Sequence, residues 1–381
     1  PANPKSHTPL KKPHLVSTPT VSDNASLRPS PPPPPSPPLS LEGDVCVAIT
    51  GGAGQIAYAL VPLILHGRVF GEGRKVRLRL LDIEPCAEAL EGVAMEIRDC
   101  YSDLVTEVIA TSDPEVAFKG ADVVVLLGGF PRLQGMQRRD LVAKNVPIMA
   151  DHGAALANCA KKSVRVLVVA NPACTNCLVA SASAPSIPRS QFSSLARLDQ
   201  DRLSAMVAEE ISSKNSPAVV GEQPVPPSRV EVRGAYLWGN HSPTMCPDVS
   251  HAEAKVDGRW VPVDRALRRR DGKDAAEESP RQDDSLKGGL QETLWREWVS
   301  TTLVPAVRNR GTRVIEARGK SSAMSAANSI ANHLRDWLSP PAAASAAAAV
   351  AGVSMGVFSD GNPYGVLDGL VCSFPVECSE G

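Results

Sequence analysis

Seven histidines are available as proton carriers near neutral pH. His7 and His14 lie in a proline-rich leader, His66, His152 and His333 fall in or beside helix-patterned stretches, and His251 follows a loop. His241 alone follows directly from an apolar strand-like run, in the turn Gly239-Asn240-His241-Ser242, where its ring would stand in a cleft. A lone histidine is more often structural, and it is position that raises this one. Such an imidazole could give a proton to an alkoxide formed by hydride transfer, provided a carboxylate held it in one tautomer. Asp199 is the candidate carboxylate, with a helix N-cap as its other reading. Arg202, three residues on, projects from nearly the same helix face. Its planar fork can grip a substrate carboxylate with two hydrogen bonds, although an arginine on a helix is commonly just solvated. Arg132 and Arg138 lie in the segment Phe130–Asp140, where Pro131 and Gly135 suit a mobile connection after an apolar run. Three arginines around one histidine would favour a substrate with two carboxylates.

A second constellation suits a dinucleotide. Gly51 and Gly54 stand in Thr50-Gly51-Gly52-Ala53-Gly54-Gln55-Ile56-Ala57, between an apolar run and residues at helical spacing. Glycines there let the chain turn tightly and a pyrophosphate approach the amides, at the positive end of the helix that Gln55 and Ile56 begin. Asp82 closes the next strand-like run, Val76–Leu81, where a carboxylate can accept from ribose hydroxyls and would repel the extra phosphate of NADP. The alternative for Asp82 is a strand-end turn residue. Asp82 lies 31 residues beyond Gly51, against a usual spacing of about 20, and the long connection Gly67–Lys75 accounts for the excess. The glycine run also resembles the cofactor loop of extended short-chain dehydrogenases, which need a Tyr-x-x-x-Lys. Four residues beyond Tyr58, Tyr101, Tyr236 and Tyr364 stand Pro62, Val105, Asn240 and Asp368, so that alternative fails.

The elements that must position these groups follow from apolar patterning. Short buried-type runs at Val45–Ile49, Val76–Leu81, Val108–Ala110, Val123–Leu127 and Val164–Val169 alternate with helix-like stretches, including Ala87–Cys100. That alternation predicts an α/β fold, a Rossmann-type doubly wound parallel sheet. The later half predicts an α+β catalytic domain: a helix from Asp199, a single strand Val230–Trp238, long helices up to Trp337, and strands near Val353–Phe358 and Leu370–Val376. The expected units are a Pro/Ser-rich leader over 1–43, an NAD-binding domain over 44–197 and a substrate domain over 198–381. Lys214–Ser228 and the polar stretch Arg268–Lys287 read as surface loops.

Composition narrows the partners. The net charge of −1 and the acids that directly follow the basic run Arg268–Arg270 argue against nucleic acid. No apolar run reaches the roughly 18 residues needed to span a bilayer. Nine cysteines, an odd number, argue against a disulfide framework and for a reducing compartment. Cys174 and Cys177 form a C-x-x-C without a second pair, and two small residues beside a packed strand end are the plainer reading. The leader, with Pro31–Pro35, Pro37 and Pro38, has three readings: a disordered tail, a polyproline ligand, or part of a transit peptide.

Taken in order along the chain, ITGGAGQIAYAL, RLLDIEP, LEGVAMEIRDC, GGFPRLQGMQRRDL, VVANPACTNCL, LARLDQDR, LWGNHSPTMCPDVSHA, GKSSAMSAANSIANHL and SMGVFSDGNPYGV resemble the malate dehydrogenases, in their cytosolic-type branch. The resemblance covers most of residues 44–376. It implies malate and oxaloacetate as substrates, NAD as cofactor, a homodimer and a cytoplasmic location. The family's plastid enzymes use NADP and lack the acid seen here as Asp82, which keeps a plastid enzyme as the alternative. By the same resemblance, His241 is the acid/base and Asp199 its partner. Arg202 holds the carboxylate beside the reacting carbon, Arg132 the distal one, and Arg138 polarises the carbonyl as its loop closes. Asn171 binds substrate near the nicotinamide, and Ser322 lines the same pocket.

The chain departs from the family pattern in places. Gln200 and Asp201 follow Asp199 where the family usually has His or Glu and then Asn, and Asp201 is expected to weaken anion binding nearby. Cys174 replaces an asparagine, and Leu133 a frequent arginine. The family continues past the position of Gly381 with more strand and a long helix, which predicts a truncated chain with exposed apolar surface and, with Asp201, keeps a non-catalytic dinucleotide-binding relative as a further alternative.

Overall fold

A computed structural model describes residues 43–131, 136–215, 230–267, 293–338 and 352–378. Strand β1 (Val45–Thr50) is buried at every position, as its apolar run requires of a strand covered on both faces. Val45, Val47 and Ile49 enter one core cluster, whereas Cys46 and Ala48 enter the other, the two-residue alternation of a pleated strand. β2 (Val76–Leu81), β3 (Val105–Thr111), β4 (Val123–Leu126), β5 (Arg165–Val168) and β6 (Phe192–Ser194) lie beside it in the order β3-β2-β1-β4-β5-β6, all parallel. This is the doubly wound order, with its switch point between β1 and β4.

Helices cover both faces. α1 (Gln55–Leu65) buries Leu60, Val61 and Ile64 in the first cluster, and α2 (Ala87–Asp99) adds Leu90 and Ile97. α3 (Pro114–Phe118), α4 (Arg138–Cys159) and α5 (Ala173–Ala182) supply Phe118, Met149, Leu156 and Cys177 to the second.

The later half opens with α6 (Arg197–Asn215). The helix begins two residues before the expected Asp199, so that residue sits inside the first turn and not at the N-cap. The single strand expected over Val230–Trp238 is two strands, β7 (Glu231–Arg233) and β8 (Tyr236–Trp238), in separate sheets. Gly234 breaks the run at φ +69°, where a Cβ would stand 2.5 Å from the His251 carbonyl oxygen. β8 pairs with β9 (Cys246–Asp248), while β7 pairs with β10 (Glu253–Val256), which pairs with β11 (Arg259–Pro262). A short α7 (Val263–Ala266) follows, then α8 (Val304–Arg318) and α9 (Met324–Leu338). A third core cluster joins α6, the small sheets and α8 through Leu203, Ile211, Leu237 and Val307.

β12 (Val353–Phe358) and β13 (Val371–Val376) do not form a sheet of a second unit. They extend the parallel sheet, β12 antiparallel to β6 through the pair Gly356–Ser194 and β13 antiparallel to β12. α9 also returns to the first unit, burying Ala327, Ile330 and Leu334 in the cluster around α1. The hydrogen-bonded layer therefore crosses the 197/198 division drawn from sequence. The leader up to residue 42, Leu133, most of the expected loop Lys214–Ser228 and all of Arg268–Lys287 lie outside the described residues.

Candidate active site

At the switch point, Gly51 turns the chain at φ +66°, and a Cβ there would meet Gly128 Cα at 3.0 Å. The ends of β1 and β4 can approach so closely only because both residues lack side chains. Gly54 is the N-cap of α1, with no side-chain cap and no acid in the first turn. The amides of Gln55 and Ile56 thus open the helix without a protein anion competing for them, a fit for a phosphate group.

Asp82 does structural work at this turn. Its Oδ2 accepts from the Ala53 amide at 3.0 Å and its Oδ1 from the Ile83 amide at 2.9 Å. A carboxylate has about four acceptor directions, so both readings of Asp82 are compatible: it ties β2 to the glycine turn and keeps lone pairs for a ribose.

Across the molecule, four of the expected residues form one hydrogen-bonded chain. Asp199 is completely buried. Its Oδ2 bonds His241 Nδ1, and its Oδ1 accepts from Arg202 Nη1 at 3.0 Å. Arg202 Nη2 in turn donates to Ser322 Oγ at 3.0 Å. A carboxylate beside a guanidinium only accepts, so Nδ1 is the donor and Nε2 is left for chemistry. The His241 side chain keeps about a third of its surface exposed (32%), against 1% for Asp199. Arg308 on α8 steadies the far end of the His241 turn, its Nε donating to the Met245 carbonyl at 2.8 Å.

Asn171 stands just beyond β5, exposed, in a cis peptide with Pro172. Among the described residues it is not hydrogen-bonded to the His241 group, but its turn comes close to that group at Cys174. The Cys174 thiol lies near enough to the His241 main chain to feel its dipole, and 3.5 Å from Ser194 Oγ. Burial raises this thiol's pKa, although Ser194 and the His241 main chain both pull it down. Cys177 is fully buried one helical turn on. Arg138 is the first residue of α4, but its side chain, like all of Arg132, lies outside the described residues.

Sequence reasoning missed Asn145. This residue of α4 is fully buried. Its Oδ1 accepts from the Phe130 amide at 2.6 Å, and its Nδ2 donates to the carbonyls of Phe130 at 3.3 Å and Asn171 at 2.8 Å. It ties the base of the arginine-bearing loop to the Asn171 turn. A polar residue in a helix carries no sign of this, because most such residues face water.

A dinucleotide cradle at the switch point of a doubly wound sheet, with an imidazole backed by a buried carboxylate, defines a nucleotide-dependent dehydrogenase. Comparison with known proteins is more specific. Residues 45–193 match the lactate/malate dehydrogenase NAD binding domain, and residues 287–381 the lactate/malate dehydrogenase alpha/beta C-terminal domain. The chain is 45% identical over 331 residues to the cytoplasmic malate dehydrogenase of Rattus norvegicus, covering 87% of this chain and 85% of that one. It is 40% identical over 336 residues to that of Zea mays, covering 88% and 87%. Among solved structures, malate dehydrogenase from Naegleria fowleri superposes with TM-score 0.68 at 35% identity, covering 88% and 86% of the two chains. Trichomonas vaginalis lactate dehydrogenase in complex with NADH and oxamate superposes with TM-score 0.71 at 31% identity, covering 88% and 87%. The chain belongs to the lactate/malate dehydrogenase family, and its nucleotide-binding half is an NAD-binding domain.

Proposed function

We propose that the chain catalyses reversible NAD-dependent interconversion of malate and oxaloacetate, with His241 as the proton carrier. The observation that carries this reading is the fully buried Asp199, bonded at once to His241 and Arg202. Bound NAD supplies the hydride acceptor for oxidation, and NADH the donor for reduction. Asp199 fixes the imidazole with Nε2 toward the substrate oxygen and stabilises the ring when that atom carries the proton. In reduction Nε2 gives its proton to the new alkoxide, and in oxidation it takes the hydroxyl proton. Arg202, already held on two sides by Asp199 and Ser322, presents its remaining donors to the carboxylate beside the reacting carbon. Arg132 holds the distal carboxylate and Arg138 polarises the carbonyl as the loop closes, excluding water. Asn171 orients substrate beside the nicotinamide. Gly51, Gly54, Gln55 and Ile56 hold the pyrophosphate, and Asp82 the ribose, which selects NAD over NADP.

The same reading makes the working form a homodimer in the cytoplasm. What supports a second copy is an apolar groove of about 360 Å³ between α1 and α2, lined by Tyr58, Val61, Leu65, Val93 and Ile97. The mammalian and plant relatives are named as cytoplasmic enzymes, and all nine cysteines are free. Among the described residues no helix is long and apolar enough to cross a membrane.

A second reading, lactate as substrate, is favoured by the likeness to the Trichomonas lactate dehydrogenase. Arg132 opposes it, because a cation facing a methyl group would be left unpaired. The test is oxidation of NADH with oxaloacetate, run beside NADPH and pyruvate. Turnover with NADH and oxaloacetate is expected, and His241→Gln should lower kcat by about 10²–10⁴ while NADH still binds. Preference for pyruvate or for NADPH would overturn the substrate or the cofactor assignment respectively.

A further inference from the structure

The proton-transferring pair is divided between two elements, Asp199 on α6 and His241 just beyond β8. What fixes β8 on α6 therefore fixes the pair. Among the described residues β8 has strand pairing only toward β9, and there Leu237 faces Pro247, which has no N–H to offer. Toward β12 and β13, side chains take the place of a ladder. Ser354 Oγ accepts from the Leu237 amide at 2.9 Å, and Ser373 Oγ donates to the Leu237 carbonyl at 2.6 Å. Gly239 and Ser373 exchange main-chain bonds at 3.0 and 2.6 Å.

Gln200, next in sequence to Asp199, completes this clamp. Its Nε2 donates to the Ala235 carbonyl at 3.0 Å, just ahead of β8, and its Oε1 accepts from the Ser354 amide at 2.8 Å. Gln200, Ser354 and Ser373 are all buried, with 9%, 0% and 2% of their surface exposed. Buried polar groups of this kind impose a single geometry when all are satisfied and are costly when one is not.

We propose that Gln200 is a positioning residue for proton transfer: it sets the register of β8 against α6, so that His241 Nδ1 meets Asp199. This rests on the reading of His241 as the proton carrier. The site asks for a group that donates on one side and accepts on the other. Glutamine does so through its amide, and histidine could through its two ring nitrogens. Leucine does neither, and a glutamate carboxylate would face the Ala235 carbonyl with a second acceptor.

The test uses the full chain and the variants Gln200→Leu and Gln200→His. The ring Nδ1–H of His241 is followed by NMR and assigned by its loss in His241→Gln. NADH affinity, kcat, KM and thermal melting are measured alongside. Gln200→Leu should melt cooperatively and bind NADH as before. It should lose the slowly exchanging Nδ1–H signal, and kcat should fall by about 10²-fold, the cost of roughly an ångström of misplacement, with KM little changed. Gln200→His should restore both signal and turnover. A Gln200→Leu chain that keeps the signal and kcat would overturn the proposal. If that variant fails to fold, Gln200→Glu, which sets a second acceptor against the Ala235 carbonyl, should weaken the same signal, and an unaltered signal there would overturn it too. The NMR readout needs no turnover, so an inactive parent chain would count against the catalytic reading and leave this one decided by the spectrum.

Discussion

Asp199 has no exposed surface, and a buried carboxylate needs a partner for each oxygen. His241 takes one and Arg202 the other. Removing one partner of such a group costs about 3–5 kcal/mol, so Arg202 supports the fold as well as any substrate. Asp201, two residues on, was expected to repel anions at the same site. At 3.6 residues per turn two positions are about 200° apart around a helix, so Asp201 faces the other way. Arg197 Nε donates to its Oδ1 at 3.0 Å and Ser329 Oγ to its Oδ2 at 2.7 Å. Arg197 also pairs with Asp336 on α9. Burial alone would lower the Arg197 pKa, but the two carboxylates together hold it above its ordinary value. Asp201→Asn is therefore expected to leave KM for the dicarboxylate unchanged and to lower stability by about 1 kcal/mol, the scale of a lost charged hydrogen bond at a partly exposed pair. Steady-state kinetics and urea denaturation check the two halves of that expectation. A lower KM would return Asp201 to the site.

At the scale of elements, β12 meets the parallel sheet through one residue pair. A Cβ on Gly356 would stand 1.9 Å from Ser194 Oγ and 3.0 Å from the Ser194 carbonyl oxygen. The hydroxyl can rotate away, but the carbonyl cannot. Gly356→Ala is expected to push β12 off β6 at a cost of about 1–3 kcal/mol, the range for overpacking, read as a lower urea midpoint. Since Ser354 lies two residues away on the same strand, kcat should fall with it; an unchanged midpoint would mean that β12 does not depend on this approach. Elements like β2 were legible because the alternation Val76-Arg77-Leu78-Arg79-Leu80, continued by Leu81 and closed by an acid, has few readings other than a strand. β8 was not, because Val230–Trp238 looks like one strand until the left-handed turn at Gly234 is placed against His251. His241, Asp199 and Arg202 were legible from residue type and neighbourhood. Asn145 and Gln200 were not, since their partners are main-chain groups far along the chain, and no local pattern marks such contacts.

For the molecule as a whole, one buried histidine and one half-buried one are expected to shape the response to acid. His333 on α9 is fully buried, and its ring nitrogens meet no partner among the described residues. Burial, and then the charge of Arg197, push its pKa down from 6.5 to about 3. Burial likewise lowers His152 from 6.5 to about 4. Between the ordinary and the lowered values the unfolded chain binds protons that the folded chain refuses. Their contribution is therefore fully present above about pH 6.5 and is lost as pH falls toward these lower values. Urea midpoints are expected to drop steadily from pH 7 to pH 5. His333→Phe should flatten that slope by up to about 1.4 kcal/mol per pH unit, one proton's worth. A slope that His333→Phe leaves unchanged would place the acid sensitivity elsewhere.

The single pair that seats β12 on β6 also orders events during synthesis. Ser194 and Val353 are separated by about 160 residues of chain. At about 5–20 residues per second, translation needs roughly 8–30 s to cover that distance. Throughout that interval β6 presents an open strand edge, the kind of surface that recruits other nascent chains. The strand that closes it also carries Ser354, so the ribosome delivers protection of the sheet and alignment of the proton-transferring pair together.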